Sequence, residues 1–194
     1  QHTKSARNRP GLSSRFRNRN SNLKTSRTMD QNINTRTFSF FKAPISNCTP
    51  KKDMTLEDAY DHIRRSSYGQ TIKLRTLEEK DAARAYKSSK FDFCTFSGVF
   101  TYRDEQHFVR HSGLLCLDFD HLDDIEGHFK ALSQDPRCPT ALLFRSPSGD
   151  GLKWVVPIDV SVMSHEEWFD ALAAYVKDTY GLEADKHCRD VTRA

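Results

Sequence analysis

The sequence predicts an α+β domain: an antiparallel, split βαβ sheet with its helices packed on one face. Three observations lead there. Short apolar runs with strand-like patterning are interleaved with segments whose apolar residues recur at helical spacing. Small and turn-forming residues separate them, and no internal repeat of fixed period runs through the chain. At 194 residues and 37% hydrophobic, the chain is large enough for one domain with a real core and a tail.

The folded pattern opens at Thr37. TFSFFKAPI alternates apolar and polar residues like a strand and ends at Pro44, and 47–52 is a turn. Thr55 with Asp58 forms a variant capping box for a helix to about Ser66, with Leu56, Ala59, Tyr60 and Ile63 at helical spacing. A second helix is expected from about Leu77 to Tyr86. FDFCTFSGVFTY, 91–102, then gives two strand-like pieces broken at Ser97 and Gly98. After the apolar run LLCLDFDHL, 114–122, come a helix at Asp123–Leu132, short strands at Ala141–Arg145 and Leu152–Ile158, and an amphipathic helix at His165–Tyr180. That last helix presents Trp168, Leu172 and Tyr175 on one face, and Gly181 stops it.

Charge divides the chain unevenly. Residues 1–36 hold nine Lys or Arg against one acid, Asp30, and the body is mildly acidic. This opening stretch has almost no apolar residues to bury, so it reads as a disordered segment. Two readings stay open for it: a basic arm that touches nucleic-acid backbone, or a leader of non-native origin ahead of Met29, where MDQNINTRTFSFFKAPI makes a plausible start. The folded domain is then 37–194, and its abrupt end at Ala194 suggests truncation at the C-terminal edge. No run approaches 18 apolar residues and no signal-peptide core is present, which argues against a membrane partner and against export. Five scattered cysteines without a CxxC pair fit reduced thiols in a cytoplasm.

Three features carry chemistry. Asp118 and Asp120 lie two residues apart in the 114–122 run, a spacing that puts both carboxylates on one side of a strand, roughly 7 Å apart. Such a pair is costly to bury without a cation, and a hard divalent ion such as Mg²⁺ or Mn²⁺ suits it. SPSGDGLKW, 146–154, joins two strand-like segments; its small residues Ser146, Ser148, Gly149 and Gly151 expose backbone N–H groups to an anion, and Lys153 adds a fixed charge. It lacks the spacing of a Walker A loop, and by itself it reads first as an ordinary hairpin turn with a solvent-facing lysine. The third feature, Asp185 to Arg193, offers a carboxylate that would complete a two-metal triad, though such polar tails are commonly solvated surface.

In combination, LDFD, SPSGDGLK and the later AD…D.TR resemble the archaeo-eukaryotic primase superfamily. KSSKFDFCTFSGVF, HSGLLCLDFDHLDD and LLFRSPSGDGLKWVVPI are similar to the BT4734-like domain, formerly called VirE N-terminal, of bacterial mobile-element proteins. The resemblance covers about Thr37 to Arg193. It implies an RRM-like sheet as in primase cores, and a metal-dependent nucleotidyltransferase of primase or primase-polymerase type. Asp118, Asp120 and Asp185 would be the catalytic metal ligands, with Asp190 as the substitute for Asp185. Ser146, Ser148, Gly149, Lys153 and Arg193 would bind the nucleotide.

The resemblance also implies Mg²⁺ or Mn²⁺ as cofactor, nucleic acid (DNA first) and nucleoside triphosphates as partners, and a following C-terminal domain, for example a helicase. Arg75, Lys87 and Lys90 would line a template path or else be solvated surface. One departure matters: primases usually carry His where this chain has Lys153. Lysine holds a phosphate as a point charge but is no proton shuttle near neutral pH. The alternative is a catalytically inactive domain that binds nucleic acid or nucleotide.

Overall fold

The computed structural model describes residues 33–65 and 68–193, and a compact unit spans Asn34–Ala194. The expectations for residues 1–32 lie outside the described residues. Arg36, placed in the tail by sequence, already donates to the Gly113 carbonyl.

Among the described residues the architecture is α+β, built from small antiparallel sheets and five α-helices. In chain order the elements are β1 (Phe38–Phe41), β2 (Lys52–Met54), α1 (Leu56–Arg65), α2 (Tyr68–Arg75), α3 (Lys80–Lys90), β3 (Phe93–Thr95), β4 (Gly98–Phe100), β5 (Phe108–His111), β6 (Leu114–Phe119), α4 (Ile125–Ser133), β7 (Leu142–Arg145), β8 (Leu152–Pro157) and α5 (His165–Tyr180).

β1 runs between β2 and β3, with Phe38 opposite Met54 and Phe41 opposite Phe93. All four β1 residues are buried, where sequence alternation implied one wet face. Ser39 tolerates this because its hydroxyl accepts from the Phe100 amide at 2.9 Å, so the buried oxygen is not orphaned. The same bond links this sheet to β4. The run 91–102 does break at Ser97–Gly98, but its halves part company: β3 joins β1, while β4 pairs with β5. Gly98 is required there, since a Cβ would stand 2.3 Å from the Arg110 carbonyl oxygen.

Local signals explain the helices well. The Thr55 hydroxyl accepts from the Asp58 amide at 3.2 Å, and Asp58 accepts from the Thr55 amide at 3.1 Å, which closes the capping box of α1. α5 has its own box between Ser164 and Glu167, and ends at Gly181 with φ 68°. Its buried stripe is His165, Phe169, Leu172 and Val176; Trp168 and Tyr175 flank it half-buried. Two helical expectations needed correction. α2 was not foreseen, because YGQTIKLR has no helical apolar stripe and contains Gly69. α3 lies at 80–90 rather than 77–86, since 76–79 serve as turn and N-cap.

The site is carried by the third sheet, ordered β6-β8-β7, with β8 antiparallel to both neighbours. The outer strands β6 and β7 therefore run parallel to one another, and α4 connects them. One face of this sheet is the main core: Leu115, Leu117, Phe119, Leu152, Trp154 and Val156 pack against Ile125 and Leu132 of α4 and Phe169, Leu172 and Val176 of α5. Trp154 satisfies its indole N–H by donating to the Thr140 hydroxyl at 2.8 Å.

Candidate functional site

The other face of the same sheet carries the polar chemistry. Side chains alternate along β6, so Leu114, Cys116 and Asp118 point away from the helical core. Asp118 pairs in register with Lys153 of β8, and the Lys153 ammonium donates to Asp118 Oδ2. Asp118 is 6% exposed. Burial opposes the Lys153 charge, but the neighbouring Cys116 sulfur and the Asp118 carboxylate outweigh it and hold the lysine above its ordinary pKa. Asp118 Oδ1 is buried with no hydrogen-bond partner among the described residues.

Asp185 reaches this place from far along the chain. Its backbone N–H donates to the Asp118 carbonyl at 2.8 Å, so the segment after α5 docks beside β6. Its side chain caps the short 3₁₀ turn Lys186–Arg189: Oδ1 accepts from the His187 amide at 3.0 Å, and Oδ2 accepts from Arg193 at 3.1 Å. Burial would raise the Asp185 pKa, yet the bonds from His187 and the charge of Arg193 leave it lowered.

Asp118, Asp185 and Cys188 can each offer a ligand atom such that all lie within 4.8 Å of one another. Cys188 is the residue that sequence reasoning passed over; its signal was a cysteine three residues past Asp185, inside a tail read as polar. Burial pushes its thiol up to about 11. Asp120 is not in this group. β6 ends at Phe119, Asp120 is exposed, and His121 follows in the left-handed region at φ 56° with Nδ1 2.9 Å from Asp150. Asp190 is also exposed and accepts from the Thr192 amide at 2.7 Å.

The 146–153 loop is a tight hairpin between β7 and β8. Ser146 N–H donates to the Gly151 carbonyl at 2.8 Å and Gly149 N–H to the Ser146 carbonyl at 2.9 Å, so two of its amides face inward. Gly149 has φ 93°, and Gly151 lies so near β6 that a Cβ would stand 2.3 Å from the Phe119 carbonyl oxygen. Ser148 is exposed, whereas Ser146 is buried with its hydroxyl unpaired among the described residues. Arg75 braces the loop from α2, donating to the carbonyls of Pro147 at 3.1 Å and Ser146 at 3.3 Å. Lys87 and Lys90 lie on α3.

Behind the site, Gly113 N–H donates to His111 Nδ1 at 2.8 Å, and His111 Nε2 lies 2.9 Å from His165 Nδ1. His165 in turn bonds the Cys188 backbone. This chain of neutral imidazoles ties β5 and the start of α5 to the turn that carries Cys188. No helix among the described residues is long and apolar enough to cross a membrane.

The model of a family described as BT4734-like, N-terminal domain, matches residues 86–194, more than half of the chain, and takes in β6, the 146–153 hairpin and the Asp185 segment. No curated protein and no solved structure matches.

Proposed function

The chain belongs to the BT4734-like N-terminal domain family, and on that premise we propose that it is a metal-dependent nucleotidyltransferase-like module of primase or primase-polymerase type. The observation that carries this is the Asp185 amide bonded to the Asp118 carbonyl, which sets two carboxylates side by side next to Lys153 and Arg193. The parallel β6 and β7 with β8 between them support an RRM-like, split βαβ core of the primase kind.

The two carboxylates on their own suit a divalent ion with oxygen ligands. Asp118 Oδ1 is a buried, unpartnered acceptor beside a second carboxylate, and Mg²⁺ and Mn²⁺ take oxygen ligands. Asp118 and Asp185 would hold it, with Asp120 at the solvent edge. When bound, such an ion supplies charge neutralisation for a phosphoryl group and lowers the pKa of an attacking hydroxyl. The chain's own residues do the positioning. Lys153 and Arg193 supply fixed positive charge to a triphosphate, and the Arg75-braced hairpin presents Ser148 and Gly149 at its tip. The proposed partners are DNA and nucleoside triphosphates, in a cytoplasmic replication protein of a mobile element with a following helicase-type domain.

One observation favours a second reading. Lys153 already neutralises Asp118, as the ion itself would, which suits a catalytically inactive domain that binds nucleotide or nucleic acid. Primer synthesis by the full-length protein with Mg²⁺ or Mn²⁺, template and NTPs or dNTPs separates the two. Short products that disappear when Asp118→Ala is combined with Asp120→Ala support the first. Absence of products together with salt-sensitive DNA binding that survives both substitutions supports the second.

A further inference from the structure

We propose that Cys188 makes the Asp118–Asp185 site a mixed sulfur–oxygen site that takes a borderline-soft divalent ion, Zn²⁺ above all, in preference to Mg²⁺. The inference shares Asp118 and Asp185 with the function proposed above and rests on that reading only for those two residues. Three side chains bring ligand atoms within 4.8 Å of one another, and one of them is a thiol. Tetrahedral zinc with bonds of about 2.0–2.3 Å needs donors roughly 3.3–3.8 Å apart, so only small rotations close the set.

Asp118 Oδ1 points to a ligand independently. It is a carboxylate oxygen buried without a partner in a residue 6% exposed, an arrangement that an incoming cation relieves. Lys153 does not compete for that atom, because its ammonium binds the other oxygen, Oδ2. Asp185 Oδ1 already faces the His187 amide at 3.0 Å and His187 Nδ1 at 2.7 Å, but Oδ2 carries only the bond from Arg193 and keeps a lone pair for a cation. A cavity of about 30 Å³ opens at Cys188, lined also by Cys116, Lys153, His165, Asp190 and Arg193 but not by the two aspartates, and it is large enough to bring a water to the sulfur side of the group.

The ligand chemistry then sets the selectivity. Magnesium demands octahedral oxygen and gains nothing from sulfur, whereas zinc and cobalt form strong thiolate bonds. On binding, the Cys188 S–H bond is exchanged for an S–metal bond and the proton leaves to solvent, with no change of oxidation state.

Co²⁺ titration of the whole chain reads the sulfur directly. A thiolate-to-cobalt charge-transfer band should grow to one equivalent, vanish in Cys188→Ser and persist in Cys48→Ser and Cys138→Ser. Zn²⁺ affinity, from chelator competition, should fall at least tenfold in Cys188→Ser, about the floor for losing even an outer-shell partner, while Mn²⁺ affinity holds. No band in the wild-type chain, or a band unchanged in Cys188→Ser, overturns the proposal. Should Cys188→Ser fail to fold, wild-type protein decides the matter: Zn²⁺, and not Mg²⁺, must protect Cys188 from alkylation, and equal labelling under both ions overturns it. Primer synthesis under Mg²⁺ is scored separately, so loss of the zinc site and loss of the nucleotidyltransferase reading are distinguishable.

Discussion

The two faces of the β6-β8-β7 sheet are both covered, yet they are built to opposite rules. Toward α4 and α5 the sheet presents Leu117, Phe119, Leu152 and Trp154, all fully buried, and the one polar group there, the Trp154 indole, is satisfied. On the other face Cys116, Asp118 and Lys153 are also withdrawn from water, but an acceptor is left over at Asp118 Oδ1. Hydrophobic burial explains the first face completely. A buried ion pair with a spare oxygen is weak as a stability device, because well-packed apolar residues commonly do as well or better. The second face is therefore where selection for chemistry should be sought.

The largest expected effect tests the dry face. Trp154→Ala removes a fully buried side chain and should cost about 3–5 kcal/mol in denaturant unfolding at constant m-value. On the polar face, Lys153→Met leaves the Asp118 carboxylate buried and unpaired, and should cost about 3 kcal/mol. Combining it with Asp118→Leu should recover most of that loss. Stability of the double variant as poor as that of Lys153→Met would erase the contrast between the faces, because the pair would then be structural.

A smaller effect sits behind the polar face, at His111 of β5. Burial, then His165 and Arg36, depress the His111 pKa to about 4, against about 6.5 in the unfolded chain. A depressed histidine favours the neutral folded form, so its contribution is complete above pH 6.5 and declines as pH falls toward 4. Unfolding measured at pH 7 and pH 5 should show a loss of roughly 1–3 kcal/mol, and His111→Gln should flatten that slope. Smallest of all, Arg193→Ala breaks a half-exposed ion pair with Asp185 and should change stability by under about 1 kcal/mol. In the primer assay proposed above, the same substitution should weaken nucleotide binding.

Sequence reading recovered most of what local rules govern. The capping box at Thr55, the Gly181 stop and the strand around Asp118 all follow from neighbours within a turn or two, whereas the Ser164 box was overlooked although it is just as local. It missed β5, whose FVRH is short and largely exposed and exists because β4 pairs with it. It could not tell that β3 and β4 belong to different sheets, because strand partners are a tertiary matter. At the site, Asp118 and Asp185 were both legible as carboxylates in a suggestive order. Whether Asp120 would stay on the strand depended on the turn at His121, and Cys188 gained its place only from the docking of a distant segment.

The backbone bond from Asp185 to Asp118 also bears on the order of folding. β6, β7 and β8 and their helices are near neighbours in sequence, whereas this closure joins residues far apart and waits on α5. The Asp118–Lys153 pair, with the smaller sequence separation, is therefore expected to form before the Asp185 closure, with the lysine balancing the buried carboxylate in the interval. A nick between Gly181 and Asp185 should remove the second carboxylate and the thiol together and, because Leu182 and Cys188 belong to the main core, should also lower stability in denaturant unfolding.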